Sequence, residues 1–355
     1  MEQIIFGRTG LKVSRTGFGG IPIQRIPYDE SSAILRRAYD SGINLYDTAN
    51  FYTTSEDRIG QALSDVRKNI VICTKSGAKD VKTLLAHLDN SLDKLRTDYI
   101  DVFQFHLPPF VPRPDGEDGL YEAAVKAQSE GKIRFIGISC HKRLLGLEAA
   151  ESGLYDVLQF PFCHISTDEE MAVAQVCEIN NVGVLGMKAL CGGILTNAKA
   201  AFVFLRQYKN IVPIWGIERL KELDEFISYE NNPPAFDEEL SEAIRIDREE
   251  LACEFCRGCG YCLPCPAEIP IPMAVRMKFL LARMFAPVFL TEQWQENMRR
   301  IDNCTNCKQC MPRCPYGLDI PRLLKEHQKS FYEILAKSKT HSLSDSLPRS
   351  AGGAL

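Results

Sequence analysis

The sequence predicts an α/β chain built on a (β/α)8 barrel and followed by a small, mainly α-helical second domain. Three observations carry that prediction. Eight apolar, β-rich runs alternate with eight helix-like segments over roughly the first 230 residues. The stretch Tyr229-Glu230-Asn231-Asn232-Pro233-Pro234-Ala235-Phe236 then interrupts all periodicity. Beyond it the composition changes, because nine of the fourteen cysteines lie after residue 250.

In chain order, strands are expected at 16–20, 43–46, 70–74, 100–105, 135–138, 157–160, 182–186 and 211–213. Helices are expected at 31–40, 55–63, 84–95, 120–130, 144–152, 168–180, 198–208 and 220–228. Ahead of them lies a short amphipathic start. A doubly wound sheet is the competing architecture, and it would announce a nucleotide site with Gly-x-Gly-x-x-Gly after a strand. Gly17-Phe18-Gly19-Gly20-Ile21-Pro22 lacks the third glycine and runs into a proline, so the barrel is preferred.

At 355 residues, 45% hydrophobic and 25% charged, the chain has the composition of a soluble globular protein of about two domains. A net charge of −4 argues against nucleic acid as a partner. Counting Lys and Arg against Asp and Glu gives about −9 over 1–250, about +4 over 251–337 and about +1 over the tail. The start, Met1-Glu2-Gln3-Ile4-Ile5-Phe6-Gly7, carries an early acid and no basic region before an apolar core, so a cytoplasmic protein is expected. The apolar stretch 279–290 holds Arg283 and Pro287 and is too short to span a bilayer, so no membrane association is expected. In that compartment fourteen cysteines point to metal or redox chemistry rather than structural disulfides.

Four polar residues end apolar runs at corresponding points of three successive repeats. Asp47 and Tyr52 follow Ile43-Asn44-Leu45-Tyr46, Lys75 closes Asn69-Ile70-Val71-Ile72-Cys73-Thr74, and His106 closes Tyr99-Ile100-Asp101-Val102-Phe103-Gln104-Phe105. In a barrel these positions share the face that carries the chemistry. A phenol is a poor acid near neutral pH, and a neighbouring ammonium favours the phenolate; Lys75 is the candidate ammonium. Asp47 can hold Lys75, and His106 can hydrogen-bond a carbonyl oxygen or the phenol. The set can protonate an oxyanion, and it needs an outside electron source. Taken singly, each is more often a salt-bridged or capping residue than a catalyst; the four together reverse that preference. Cys73, Cys140, Cys163, Cys177 and Cys191 read as small hydrophobes, and His141 and His164 as structural.

Asp47-Thr48-Ala49 to Tyr52, Ser55-Glu56 with Ile59-Gly60-Gln61-Ala62-Leu63, Thr74-Lys75, Tyr99-Ile100-Asp101 to His106, and Gly131-Lys132-Ile133-Arg134-Phe135-Ile136-Gly137-Ile138-Ser139 together resemble the aldo/keto reductase family. The resemblance implies a TIM-type barrel that binds NADPH or NADH across its mouth and reduces an aldehyde or ketone. It implies Tyr52 as general acid, with Asp47, Lys75 and His106 around it. Ser139 and Gln159 match the positions that hold the nicotinamide, and Lys188, Leu190 and Gly193 match the loop beside the pyrophosphate. Asp47 and Gly216 complete the expected cofactor-binding set. Cys140 stands where the family commonly has Asn, and Trp215-Gly216-Ile217-Glu218-Arg219 lacks the usual Lys-Ser pairing for a 2′-phosphate. Glu225-Phe226 stands where Glu-Asn often meets the adenine. Arg219 or Lys221 can meet a phosphate, or both can simply lie on an exposed helix face.

The later cysteines form two runs, Cys256-x2-Cys259-x2-Cys262-x2-Cys265-Pro266 and Cys304-x2-Cys307-x2-Cys310-x3-Cys314-Pro315. The second is the bacterial ferredoxin spacing, in which three thiolates hold one [4Fe-4S] cluster and the fourth reaches the other. The runs repeat, with the Cys-Pro pairs offset by 49 residues and the first cysteines by 48. That alignment assigns Cys256, Cys259, Cys262 and Cys314 to one cluster and Cys304, Cys307, Cys310 and Cys265 to the other. Cys253 extends the spacing and offers a shifted register, which the Cys-Pro alignment disfavours. Zinc sites usually pair two separated Cys-x2-Cys knuckles, so two [4Fe-4S] clusters are preferred. The segment 273–289 is expected to form helices over the clusters.

The whole resembles a fusion of an aldo/keto reductase with a two-cluster ferredoxin-like iron–sulfur domain. The expected organisation is a barrel at 1–230, linker and helix at 231–250, the cluster domain at 251–337 and a disordered tail at 338–355. The expected function is NAD(P)H-dependent reduction of a small carbonyl substrate, accompanied by iron–sulfur electron transfer with a redox partner protein. The alternative is a redox-sensing or electron-transfer protein whose barrel binds nicotinamide with little turnover.

Overall fold

The computed structural model describes residues 1–251 and 254–341; Cys253 and the tail beyond 341 fall outside them. The chain divides at residues 252/253 into two compact units.

The first unit opens with an antiparallel hairpin of β1 (Gln3–Ile5) and β2 (Lys12–Ser14), where the sequence suggested only an amphipathic start. Eight parallel strands then close a barrel: β3 (Gly17–Gly19), β4 (Leu45–Asp47), β5 (Val71–Ser76), β6 (Ile100–His106), β7 (Ile133–Ser139), β8 (Val157–Pro161), β9 (Gly183–Met187) and β10 (Ile211–Gly216), with β10 paired back to β3. The helices between them are α1 (Tyr28–Asp40), α2 (Ser55–Leu63), α3 (Val81–Leu95), α4 (Leu120–Ser129), α5 (Arg143–Glu151), α6 (Asp168–Ile179) and α7 (Ala198–Arg206), and α8 (Leu220–Asn231) follows β10. Local chemistry marks their starts. Before α6 the Thr167 hydroxyl accepts from Glu170 N while the Glu170 carboxylate accepts from Thr167 N, which satisfies two backbone donors reciprocally.

Two layers of apolar side chains hold the barrel. Between strands and helices lies a shell that includes Tyr46, Ile72, Phe103, Ile138, Phe160 and Trp215. Inside, Leu45, Val71, Val102, Val157, Leu185 and Val212 fill the lumen, and Phe6 from the hairpin packs against them. Phe6 is 1% exposed, so the hairpin acts as a plug. The next residue must be glycine. Gly7 sits at φ +53°, and a Cβ there would lie 2.3 Å from Gly183 N.

The segment set apart as linker and helix ends in α9 (Glu238–Leu251), which packs on α7 within the first unit. His164, for which the sequence offered no partner, shares a 2.7 Å hydrogen bond through Nε2 with Asp247 Oδ2 on that helix. Arg248 Nε donates to His164 O at 2.6 Å beside it.

The second unit contains α10 (Ile271–Ala274), α11 (Met277–Arg283), α12 (Glu292–Arg299) and α13 (Ile320–His341). Its interior is made by Ile271, Met277, Leu280, Met298, Leu324 and Phe331. The expected helical segment 273–289 is realised as short pieces, α10, α11 and a 3-10 turn at Ala286–Phe289, because Pro287 stops a continuous helix. At the other end α13 runs to His341, four residues into the stretch expected to be disordered. Among the described residues no helix is long and apolar enough to cross a membrane.

Candidate active site

Parallel pairing brings the polar residues to one rim. The register sets Asp47 beside Gly19 and Cys73, Lys75 beside Gln104, His106 beside Ser139, and Ser139 beside Gln159. Asp47, His106 and Ser139 are the last residues of β4, β6 and β7, while Lys75 and Gln159 lie within β5 and β8. Those positions are the carboxyl ends of the strands, where (β/α)8 barrels place their chemistry.

Lys75 and Asp47 form the centre, with side chains only 1% and 4% exposed. Lys75 Nζ donates to Asp47 Oδ1 at 2.6 Å and also to Thr48 O. Gln159 Nε2 donates to the other carboxylate oxygen at 3.3 Å. Burial pushes the Asp47 carboxyl up, and the Lys75 charge and these hydrogen bonds oppose that push. Tyr52 lies in the loop after β4, where its N–H donates to Ala49 O at 2.9 Å. Lys75 Nζ stands 5.4 Å from the Tyr52 ring centroid, and the His106 ring meets the Tyr52 ring edge-on at 6.1 Å. The sequence residues Asp47, Tyr52, Lys75 and His106 are therefore gathered at one place.

One electrostatic expectation is corrected. Burial pushes the Tyr52 phenol up, and the Asp47 charge adds to it, whereas the sequence reading had Lys75 lowering it. The main reason is burial of the ring, with the Asp47 charge next, while the short contacts of the Lys75 ammonium go to Asp47 and Thr48 O. The phenol therefore stays protonated through the neutral range. Burial, followed by the Lys75 charge, pushes His106 down to about 3, so its imidazole is neutral near pH 7 with one N–H and one lone pair.

Among the polar atoms beside this centre that are buried without a partner are Ser139 Oγ, Gln159 Oε1 and both amide atoms of Gln104. A hydroxyl and an amide oxygen side by side fit a ligand that both donates and accepts hydrogen bonds, as a carboxamide does. The sequence named both. It missed the Thr48 carbonyl, because a backbone acceptor leaves no trace in residue type. Lys188, Leu190 and Gly193 fall in the tight loop after β9, where Lys188 (φ +63°) and Gly193 (φ +89°) take left-handed backbone. Gly216 ends β10, and the loop after it is closed by Glu222, whose carboxylate accepts from Glu218 N, Arg219 N and the Arg219 guanidinium.

In the second unit the loop cysteines fall into two electrostatic groups. Burial pushes the Cys262 thiol up to about 12, and the next influences are Cys256 and Cys259, with Cys314 further down. Burial also raises Cys310, whose thiol neighbours are Cys307, Cys304 and Cys265. Among the described residues no group of three His, Cys, Asp or Glu is gathered closely enough for a single metal ion. A cubane takes its thiolates at four separate irons, more widely spread than ligands on one ion.

A sequence profile of the aldo/keto reductase family matches residues 4–202. The chain belongs to the aldo/keto reductase family. A second profile, of a 4Fe-4S dicluster domain, matches residues 255–319. The protein is thus an aldo/keto reductase-type oxidoreductase carrying a dicluster domain. It is 30% identical to L-galactose dehydrogenase of Arabidopsis thaliana over 216 residues, which covers 55% of this chain and 67% of that protein. It is 31% identical to the aldo-keto reductase YhdN of Bacillus subtilis over 218 residues, 55% of this chain and 64% of that one. It therefore spans about two thirds of the length of these curated relatives. The holo form of an aldo-keto reductase from Bacillus halodurans superposes with a TM-score of 0.61 over 69% of this chain and 96% of that one, and at 20% identity it supports the fold.

The buried pair gives this family member a measurable liability. Lys75→Met should cost about 3–5 kcal/mol at pH 7, because it leaves the Asp47 carboxylate buried and unpaired. Burial already raises the Asp47 pKa, and loss of Lys75 raises it further, so the deficit should shrink as pH falls and the carboxyl takes up a proton. Urea denaturation of wild type and variant between pH 5 and pH 8 measures both effects; a deficit that is constant across that range contradicts the assignment.

Proposed function

We propose that the barrel catalyses NAD(P)H-dependent reduction of a small aldehyde or ketone, with Tyr52 as general acid. The single observation that supports it most is the gathering of Tyr52, His106 and the buried Lys75–Asp47 pair beside the unpaired Ser139 Oγ and Gln159 Oε1. Ser139 and Gln159 would hold the nicotinamide carboxamide, and the loop of Lys188, Leu190 and Gly193 would lie along the pyrophosphate. Nicotinamide, when bound, supplies the hydride.

Everything else is the work of this chain. The neutral His106 imidazole donates its N–H to the substrate oxygen and orients it. Tyr52 gives its hydroxyl proton to the same oxygen as charge develops there. The Lys75 ammonium, 5.4 Å from the ring centroid and held by Asp47 and Thr48 O, is the positive charge that the phenolate left behind would meet, against the burial and the Asp47 charge that keep the resting phenol protonated. Asp47 keeps that ammonium fixed so that no reorganisation is needed at the moment of transfer.

The loop after β10 favours NADH over NADPH. The Glu218 and Arg219 N–H groups and the Arg219 guanidinium already serve Glu222, so a 2′-phosphate would have to compete with a carboxylate for them. The partner of the cluster domain is read as an acidic one-electron carrier that meets the cluster of Cys304, Cys307, Cys310 and Cys265. Cys307 is exposed and flanked by exposed Lys308 and Arg313, whereas Cys256 and Cys262 are buried. This reading places the protein in the cytoplasm, where its thiols stay reduced.

Three measurements test it. Tyr52→Phe should lower kcat for carbonyl reduction by about 10²-fold or more while cofactor affinity stays within about twofold; unchanged turnover removes Tyr52 from the role. Fluorescence titration should give NADH a Kd at least about fivefold below that of NADPH, and Glu222→Gln should narrow the gap. Anaerobically purified protein should contain about eight iron and eight sulfide per chain; stoichiometric zinc without sulfide would overturn the two clusters.

A further inference from the structure

Two cysteines that the sequence treats as small hydrophobes meet at the cofactor loop. Cys163, just beyond β8, and Cys191, in the loop after β9, lie 28 positions apart with their sulfurs at 3.5 Å. Both are buried, at 0% and 2% exposure. The strands that carry them are neighbours, and Phe162 N donates to Met187 O at 3.0 Å, so both loops depart from one fixed point. Cys163 is held by its own N–H, which donates to Ser166 Oγ at 3.2 Å. Cys191 N donates to Lys188 O at 2.8 Å, which ties it to the loop after β9. It sits at φ +48° between Lys188 at φ +63° and the glycines Gly192 and Gly193 at φ +68° and φ +89°.

We propose that Cys163 and Cys191 form a reversible dithiol site, oxidised by a hydroperoxide or a low-molecular-weight disulfide, and that closing it weakens binding of the nicotinamide cofactor. A disulfide bond is about 2.05 Å long, so the sulfurs must approach by roughly 1.5 Å. Cys191 is hydrogen-bonded to Lys188 O, so its share of that movement is carried into the loop that contains Lys188, Leu190 and Gly193. The consequence for binding rests on the proposed role of that loop; the dithiol itself does not. The chemistry balances within the named reagents. Forming the S–S bond removes two electrons and two protons from the thiols. A hydroperoxide takes them up as its O–O bond breaks, giving an alcohol or water and water. A small disulfide instead leaves as two thiols by exchange, which needs the loop of Cys191 to open first because both sulfurs are buried.

The experiment uses the full chain, purified anaerobically with its clusters and equilibrated without oxygen in glutathione buffers of increasing oxidised fraction. Mass mapping under non-reducing conditions follows a peptide linking Cys163 to Cys191, and fluorescence follows NADH and NADPH affinity. The linked peptide should appear together with a rise in Kd of about fivefold or more, reversed by dithiothreitol. Cys163→Ala and Cys163→Ser should bind cofactor normally and ignore the oxidant. Failure of the linked peptide to form, a linked peptide with unchanged Kd, or weakening that persists in both Cys163 variants would each overturn the proposal. If the reduced protein binds neither cofactor, the cofactor reading fails, and the linked peptide alone then upholds or overturns the dithiol.

Discussion

The buried contact between Lys75 and Asp47 is the interaction on which the rest of the site depends. Two charges taken almost wholly out of water are each costly to desolvate, and only close geometry with further hydrogen bonds makes the pair tolerable. Here Thr48 O takes a second ammonium hydrogen, and Gln159 reaches the carboxylate from across the barrel. Such an arrangement exists only if β4, β5 and β8 stand in one register. A one-residue slip of either partner strand would turn its charge outward and strand the other. The pair therefore constrains the barrel as much as the barrel positions the pair. The Tyr52 ring stands 5.4 Å from the same ammonium and meets the His106 ring edge-on at 6.1 Å, so both stand beside the pair.

Much of this was legible in the sequence, for a simple reason. Strands of a parallel barrel are buried on both faces, so Ile70 to Cys73 stands out as an apolar run and Ile100 to Phe105 as a mainly apolar one, and the polar residue that follows marks the rim. Asp47, Lys75 and His106 were visible in that way, and Ser139 through the family resemblance. What escaped depends on distance rather than pattern. The β1–β2 hairpin has three residues per strand and too little alternation to signal itself, yet Phe6 beside it fills the lumen. The attachment of α9 turns on His164 meeting Asp247, 83 positions away. The direction of the Tyr52 shift turns on how deeply the ring is buried beside Asp47, which residue order does not encode. Cys163 and Cys191 have no spacing that would single them out, and only the adjacency of β8 and β9 makes them a pair.

In the cluster domain the opposite holds. Its secondary structure is short and irregular, so helix periodicity gave only the broad outline of 273–289, and the cysteine spacing carried the reading instead. Thiolate ligands must come from loops that wrap a compact inorganic core, so ligand spacing is conserved by geometry even where helices are not long enough to leave a period. The same economy explains how a unit with so few regular elements holds together. Ile271, Met277, Leu324 and Phe331 supply a small apolar interior, and metal binding is expected to contribute folding free energy on top of it.

Under the proposed function the two halves of the chain handle electrons in different units. A hydride delivers two electrons together to one carbon, whereas a cubane accepts one at a time, and nicotinamide has no stable half-reduced form to bridge them. A direct relay from barrel to clusters would therefore require an intermediate carrier that can hold a single electron. Under the proposed reading the simpler arrangement has the barrel exchanging hydride with its carbonyl substrate and the clusters exchanging single electrons with an acidic partner. The Cys163–Cys191 couple belongs with the barrel on this count. Opening or closing a disulfide moves two electrons, the same unit as hydride, and the site stands against the loop that would carry the hydride donor. A control of that kind acts on cofactor occupancy and leaves the one-electron traffic of the clusters to follow its own partner.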